Sequence, residues 1–201
     1  DLAMIGVLLG DDPGPEWHYT EPATGRAYTG AQGLALATFH AFCAGLFSSH
    51  PRRATQADRL GLRALPRDRL AQALQVSGAN PVAHLDARCV RLRRLGELMG
   101  EMPQVFGAEG RPGALFDLLI GAYGLGVPHT ADLDAGDLLA QLLISLSGLW
   151  ADGPQLGGVP LGDCVPHRAV RGPGDSDGWL PLHTLMQRLA LSLLEPFEIG
   201  R

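Results

Sequence analysis

The sequence predicts an all-α fold, an irregular multi-helix bundle with long loops that are rich in glycine and proline. Apolar residues recur at three- and four-residue spacing along several stretches, which is the pattern of a helix with one buried face. Capping residues, glycines and prolines bound these stretches. No stretch alternates apolar and polar residues well enough to predict a strand. We therefore expect residues 1–201 to form a single helical domain.

The first predicted helices have their own start and stop signals. The apolar segment Leu2–Leu9 opens the chain without a basic leader, and we expect it to be an interior helix of a longer protein, of which this chain is a fragment. A second helix is predicted over about 31–47. The pair Asn80-Pro81 is typical of a helix start, with Asn80 as the N-cap, and the helix that follows closes at Pro103.

Three more helices complete the predicted bundle. Pro112 opens one of them. Asp134 is a suitable N-cap for a helix over 135–150, whose apolar face is the strongest in the chain and could serve a core or a dimer contact. A last helix is expected to break at Pro196, because proline cannot continue a regular helix.

The composition excludes several classes of function. All 16 basic residues are arginine, so a Schiff-base lysine and a P-loop lysine are both absent from this sequence. The net charge of −5 disfavours a nucleic-acid partner, and no apolar run reaches the ~18–20 residues of a membrane span. Three cysteines without a C-x-x-C pair fit a reducing compartment. We expect a cytoplasmic protein that binds neither nucleic acid nor a membrane.

Two long loops, 11–30 and 151–180, are where we expect function to lie. Asp163 and His167 lie on a segment rich in glycine and proline, and His183 precedes the last helix. A carboxylate beside an imidazole can fix its tautomer and raise its basicity, so these residues could act as acid and base. Alternatively, Asp163 caps a turn and His167 is a surface residue. A metal site built from the three side chains is conceivable, although no motif sets their spacing.

Three further candidate positions are Cys164, Arg111 and Asp117. Cys164 has one interpretation, and the other two positions have two each. Cys164 is expected to be inert, because the negative charge of the adjacent Asp163 raises a thiol pKa. Arg111 precedes the helix start at Pro112, where a guanidinium and free helix N–H groups could hold a phosphate; alternatively, Arg111 pairs with a nearby carboxylate. Asp117 either projects inward as a buried carboxylate with a raised pKa or favours the positive end of its helix.

Six blocks of residues follow one another across nearly the whole chain in the order of a known family. They are Trp17-His18-Tyr19 with Thr24-Gly25; the run from Gly33 to His40, continued by Gly45 to Ser48; Gln75-Val76-Ser77 with Asn80-Pro81; Arg111-Pro112-Gly113 with Phe116-Asp117; Leu161-Gly162-Asp163 with His167; and His183, Leu185 and Gln187 with Ser192 to Pro196. In these blocks the chain resembles the uracil-catabolism family of the pathway that opens the uracil ring.

The resemblance implies a cytoplasmic protein of pyrimidine degradation that acts after the uracil ring is opened. The implied reaction is hydrolysis of the N-glycosidic bond of ribosylurea or phosphoribosylurea, with release of urea. We expect no cofactor and no metal, and a small nucleoside or sugar phosphate as the ligand. Such a reaction needs a carboxylate, a proton donor and, for a phosphorylated sugar, an anion site. The catalytic candidates are Asp163, His183, His167 and Asp117, and the substrate-binding candidates are Arg111, Trp17, Tyr19 and Gln187.

A rival interpretation is a non-catalytic subunit that binds a nucleotide or a partner protein. Relatives carry a glutamate where this chain has Gln32, and an amide cannot act as an acid or a base. The retained Asp163, His183 and Arg111 favour the enzyme instead. Convergence of the candidates on one pocket would support catalysis.

Overall fold

The computed structural model describes residues 1–10, 12–123, 134–150 and 153–200, and at 122 and 123 it describes the backbone only. The chain divides into two compact units, Asp1–Leu118 and Leu119–Arg201. Among the described residues, helices dominate both units, and the first unit also contains one two-stranded sheet while the second contains two.

In the first unit the elements are α1 (Leu2–Leu9), β1 (His18–Thr20), β2 (Ala27–Thr29), α2 (Gly30–Cys43), α3 (Arg59–Arg63), α4 (Arg67–Ala73), α5 (Leu85–Glu101) and α6 (Pro103–Phe106). Helix α7 (Ala114–Tyr123) contains the boundary between the units. In the second unit they are α8 (Ala135–Leu146), a 3-10 turn (Ser147–Trp150), β3 (Gln155–Leu156), β4 (Val159–Pro160), β5 (Cys164–Pro166), a second 3-10 turn (Gly174–Ser176), β6 (Trp179–Pro181) and α9 (Thr184–Ile199).

The fold is mixed α/β, so the all-α prediction is wrong. Among the described residues there are three two-stranded antiparallel sheets, β1–β2, β3–β4 and β5–β6. All three lie in or beside the two segments predicted to be long loops, 11–30 and 151–180. Each strand has only two or three residues. An alternating pattern needs about four residues or more to be recognised, which is why the strands cannot be read from the sequence.

Helix α5 is the centre of the first unit and packs against α1, α3, α4 and α6. One face of it is buried, and its apolar members are Leu85, Cys89, Leu92, Leu95, Leu98 and Met99. The backbones of α3 and α5 approach so closely at Gly96 that a Cβ there would lie 2.7 Å from the amide nitrogen of Arg63 and 2.8 Å from the carbonyl oxygen of Arg59. Glycine is therefore required at this crossing.

The structure corrects the predicted role of Asn80. Helix α5 begins at Leu85, and its N-cap position is held by His84 in the left-handed conformation (φ 56°). The side chain of Asn80 instead holds strand β1: its Oδ1 accepts from the His18 amide (2.9 Å), and its Nδ2 donates to the carbonyls of His18 (2.9 Å) and Gln75 (2.8 Å).

A second side-chain amide, that of Gln75, holds β1 in the same way, and the amides of Asn80 and Gln75 together form a clamp on β1. The Gln75 amide pairs with both backbone groups of Thr20, accepting from its N–H at 2.9 Å and donating to its carbonyl at 2.8 Å. The two amides thereby act as an extra strand beside the short β1 and satisfy backbone groups that it could not pair alone. Behind the hairpin, a Cβ on Gly33 of α2 would lie 2.5 Å from the carbonyl oxygen of Tyr28, so α2 also requires glycine where it meets β2.

Two predicted helix ends are also corrected. Helix α2 stops at Cys43 rather than near residue 47, because the chain turns at Gly45 in the left-handed conformation (φ 79°). Helix α9 continues through Pro196 to Ile199 instead of breaking there. Pro196 lies in the last turn, and the carbonyl it leaves unpaired belongs to the exposed Ser192, where water can replace the lost hydrogen bond.

Asp58 is a buried carboxylate that organises the loop before α3. Its Oδ1 accepts from the amides of Leu60 (3.1 Å) and Gly61 (2.9 Å), while its Oδ2 accepts from the amide of Ser49 (2.8 Å) and the side chain of Gln56 (3.2 Å). Burial alone would raise the pKa of Asp58, but these hydrogen bonds outweigh burial and hold the pKa below its ordinary value of 3.8. The ionised form is thus the one that the fold stabilises.

In the second unit α8 packs against α9. Asp134 caps α8 as predicted, its carboxylate accepting from the amide of Gly136 at 2.6 Å. The apolar face of α8 serves the core, since Leu138, Leu142 and Leu146 are fully buried. No helix in the described part of the chain is both long enough and apolar enough to cross a membrane.

Candidate functional site

The hairpin β5–β6 brings Asp163 and His183 together in the second unit. Asp163 directly precedes β5, and His183 follows β6 by two residues, so pairing of Cys164 with Pro181 places the two side by side. The carbonyl of Asp163 accepts from the amides of Leu182 (3.0 Å) and His183 (3.3 Å). Its carboxylate Oδ2 accepts from the amide of Thr184 at 3.1 Å and caps α9. Asp163 thus has a capping role at the start of α9, and not in a local turn as the sequence suggested.

Only one oxygen of the Asp163 carboxylate is used in this cap. The other, Oδ1, accepts no hydrogen bond from any described residue. Asp163 is half-buried, so this second oxygen is available to a ligand. A structural role and a chemical role are thus compatible in one side chain.

His183 has two unusual features. It adopts the left-handed backbone conformation (φ 52°, ψ 21°), which costs a non-glycine residue on the order of 1 kcal/mol or more. Its ring nitrogen Nδ1 is buried and has no hydrogen-bond partner among the described residues. Buried polar atoms are nearly always paired, so an unpaired one calls for an explanation. Gln75 and His84 share the left-handed conformation, and the unpaired buried nitrogen is therefore the feature that distinguishes His183 as a candidate.

A cavity of about 460 Å³ surrounds the pair, which is the size of a small-molecule site. Its walls come from α8 and the 3-10 turn on one side, from 159–164 on another, and from the start of α9. They are mostly apolar, with Asp163 as the charged member. The lining residues are Leu143, Ile144, Ser147, Trp150, Val159, Pro160, Leu161, Gly162, Asp163, Cys164, His183 and Met186.

Cys164 lines the cavity but is not activated. Its thiol donates to the carbonyl of Leu161 at 2.9 Å. Burial, and then the negative charge of Asp163, raise the pKa of the thiol. A protonated thiol is a poor nucleophile, in agreement with the inert role predicted for Cys164.

His167 and Gln187 lie in the same unit but do not line this cavity. His167 is exposed after β5, where its Nδ1 accepts from the amide of Ala169 at 3.3 Å. Gln187 is exposed on α9, and its amide donates to the carbonyl of Leu182 at 3.3 Å. No three histidine, cysteine or carboxylate side chains in the described ranges gather as metal ligands, so the conceivable metal site of Asp163, His167 and His183 is not assembled.

Trp17 and Tyr19 lie in the core of the first unit. Trp17 is 0% exposed, and its indole N–H donates to the carbonyl of Leu74 at 2.9 Å. Tyr19 is 3% exposed, and its hydroxyl forms a 2.7 Å hydrogen bond with Nδ1 of His40. Burial, and then the charge of Glu21, raise the pKa of the Tyr19 hydroxyl. Both aromatic residues contribute to packing behind the β1–β2 hairpin.

Arg111 and Asp117 also lie in the first unit. The guanidinium of Arg111 pairs with the carboxylate of Asp1 at 2.8 Å, and the other oxygen of that carboxylate accepts from the amide of Gly113 at 2.7 Å. The ion-pair alternative for Arg111 is therefore the one observed. Asp117 is exposed in the first turn of α7, which corresponds to the helix-end alternative and not to a buried carboxylate.

Two features of the cavity cannot be predicted from the sequence. The helix predicted over 135–150 includes Trp150, whereas in the structure α8 ends at Leu146 and Trp150 lies in the cavity wall with Asp163. The left-handed conformation of His183 is the second feature, and the sequence carries no local signal for it. Glycine usually marks such positions, and a histidine does not.

Comparison with known proteins identifies relatives for the whole chain. The family described as "Protein of unknown function (DUF1688)" matches residues 1–200. "Uracil catabolism protein 4" of Lachancea kluyveri is 32% identical over 204 residues, which cover 98% of this chain and 46% of that protein. "Protein urg3" of Schizosaccharomyces pombe is 32% identical over 198 residues, covering 98% of this chain and 45% of that protein.

The chain spans about half the length of the curated relatives it matches. The matched range, residues 1–200, extends over both units. The predicted family resemblance is thus confirmed, and the chain belongs to the DUF1688 family.

Proposed function

We propose that this chain acts in uracil catabolism as an N-glycosidase-like hydrolase, which releases urea from ribosylurea or phosphoribosylurea. The name of the relative from Lachancea kluyveri supports the pathway. The observation that carries the reaction is the cavity of about 460 Å³, in which the carboxylate of Asp163 has one unused oxygen and lies beside the imidazole of His183, whose Nδ1 has no partner among the described residues. A carboxylate and a proton donor are the two groups that glycosidic hydrolysis requires.

In the proposed reaction, water adds to the anomeric carbon and the bond from that carbon to the urea nitrogen breaks. Asp163 takes a proton from the attacking water, or steadies the positive charge of the sugar, through its free Oδ1. His183, in its protonated form, gives a proton to the departing nitrogen. Urea and the free sugar leave, and transfer of the proton from Asp163 to solvent and uptake of one by His183 restore the starting state.

The surroundings of the pair favour such a reaction. The walls are mostly apolar, and electrostatic interactions are stronger beside apolar surfaces than in bulk solvent. The ring nitrogen Nδ1 of His183 has no hydrogen bond to a described residue that must break when the ring turns toward a ligand. The cap to Thr184 fixes the carboxylate on the rigid start of α9.

The test is urea release by the full-length protein from ribosylurea and from its 5′-phosphate. Asp163→Asn keeps an oxygen that can cap α9 but removes the charge, and His183→Asn suits the left-handed backbone while removing the imidazole. Matched controls are Asp134→Asn, which changes the cap of α8, and His84→Asn, which changes a histidine in the same left-handed cap position of α5.

We expect both site variants to lower kcat by about a hundredfold or more, the usual contribution of a positioned acid or base, while both controls stay near the wild-type rate. Wild-type turnover by either site variant would overturn the assignment of the site. Absence of urea release from both substrates, together with clear binding measured by calorimetry, would refute hydrolysis and establish the rival interpretation of a non-catalytic binding subunit.

A further inference from the structure

Trp150 is the large aromatic side chain in the cavity wall, and the proposed reaction does not use it. It ends the 3-10 turn after α8 and is only half-buried. Its indole N–H has no hydrogen bond to a described residue, in contrast to the indole of Trp17, which bonds to the carbonyl of Leu74. Tryptophan N–H groups are usually paired when they are buried, so the ring of Trp150 still has both a face and a donor to offer.

The ring of Trp150 lies against the backbone next to Asp163. A Cβ on Gly162 would lie 3.8 Å from Cε3 and 3.9 Å from Cζ3 of Trp150, so the six-membered ring rests along the Gly162 backbone. Gly162 has φ 63°, a conformation in which other residues are strained, and Asp163 follows it directly. One short segment therefore sets the position of both the indole and the carboxylate.

The remaining lining residues restrict which ligand fits against this ring. No arginine or lysine side chain is among the described lining residues, and the thiol of Cys164 is occupied by a backbone carbonyl. Among the described lining residues, only the imidazole of His183 could offset the charge of an anionic group beside the carboxylate of Asp163, and the proposed reaction uses that imidazole as the proton donor to the leaving nitrogen. A flat uncharged group can instead stack on the indole and exchange hydrogen bonds with Asp163 and His183.

We propose that Trp150 is a ligand-positioning residue, on whose ring the planar, uncharged ureido group of the substrate stacks. The identity of that group rests on the proposed function. The stacked group would be the leaving group, and the indole holds its nitrogen within reach of His183, so that proton transfer and bond cleavage occur in one orientation. The role of Trp150 is positioning, since its ring neither gives nor takes the transferred proton.

The test measures binding of ribosylurea to the full-length protein by calorimetry and by tryptophan fluorescence. Stacking on an aromatic side chain contributes enough to shift a Kd by about tenfold or more when the ring is removed. We expect Trp150→Leu to raise Kd and KM about tenfold and also to lower kcat, because the leaving nitrogen is no longer held in one orientation, and we expect Trp150→Phe to restore most of the affinity and of kcat. Trp179→Leu is the matched control, because Trp179 lies on β6 outside the cavity wall.

Fluorescence gives a readout that a purely structural role would not change. In a Trp179→Phe background, ribosylurea should quench the emission, and the added Trp150→Phe change should abolish the quenching because the fully buried Trp17 is then the remaining tryptophan. Quenching that persists without Trp150, or an unchanged Kd in Trp150→Leu, would overturn the proposal. Tetramethylammonium binding with the same dependence on Trp150 would also overturn it, since the ring would then be a cation site.

The outcomes separate this inference from the proposed function. If Trp150→Leu still releases urea and its Kd and KM equal those of the wild type, the stacking role is refuted and the proposed hydrolase reaction stands. Trp150-dependent binding of ribosylurea without urea release would refute the hydrolase and support the stacking role. Should Trp150→Leu fail to fold, the Trp150→Phe quenching measurement decides the question alone.

Discussion

Replacing Asn80 by alanine is expected to destabilise the first unit by about 3 kcal/mol. The side chain makes three hydrogen bonds, two to the backbone of His18 and one to the carbonyl of Gln75, and each such bond contributes about 1 kcal/mol net. Asn80 is only 8% exposed, so water cannot easily replace its amide. The loss should exceed that of Gln75→Ala, which removes two hydrogen bonds to Thr20 and is expected to cost about 2 kcal/mol.

The assay is urea denaturation followed by fluorescence in a Trp150→Phe, Trp179→Phe background. Trp17 is then the single tryptophan, and it directly precedes the clamped strand. We expect a lower midpoint with an unchanged slope, as for a loss of stability without a change of unfolded state.

Two further variants sharpen this measurement. Asn80→Asp keeps one acceptor but turns an oxygen toward the carbonyls of His18 and Gln75, so it should be no better than alanine. Gln72→Ala, at an exposed position of α4, should stay within about 0.5 kcal/mol of wild type. An Asn80→Ala protein with a free energy of unfolding within about 0.5 kcal/mol of wild type would refute the clamp.

Three other outcomes are expected. Gly33→Ala should destabilise the fold by about 1–3 kcal/mol through overpacking. Gly6→Ala in α1, where a Cβ meets nothing within 4 Å, should instead stabilise it by about 0.5–1 kcal/mol. Thermal unfolding measures both, and midpoints that shift in the same direction for the two variants would contradict this. The pKa of Asp58 is lowered in the folded state, so its contribution to stability is present above the unfolded pKa and is lost as the pH falls through the folded pKa. Asp58→Asn should therefore weaken the fall of the unfolding free energy at acid pH. An unchanged pH dependence of the unfolding free energy would refute the role of the carboxylate. Cys43 is exposed, while Cys164 has a raised pKa and a carbonyl partner, so iodoacetamide at neutral pH should modify Cys43 first, as mass spectrometry would show.

The candidate site shows which functional signals are local. Asp163 and His183 could be selected from the sequence because an acid and a histidine on a loop rich in glycine and proline are chemically suggestive. Their proximity could not be predicted, because they are twenty positions apart in the chain and the pairing of two three-residue strands brings them together. The ion pair of Arg111 with Asp1 was also open from the sequence, since its partner lies 110 residues away.

The sequence by itself determined the family of this protein, the helical spacing of α1, α5 and α8, and the cap of α8 at Asp134, because these depend on residues within a few positions of one another. Only the tertiary structure decided that the fold is mixed, that Asn80 clamps a strand and that Trp150 faces a cavity. These features depend on contacts between distant segments, and strands of two or three residues carry no periodic signal of their own. Local chemistry therefore specified the helices, while long-range packing specified the site.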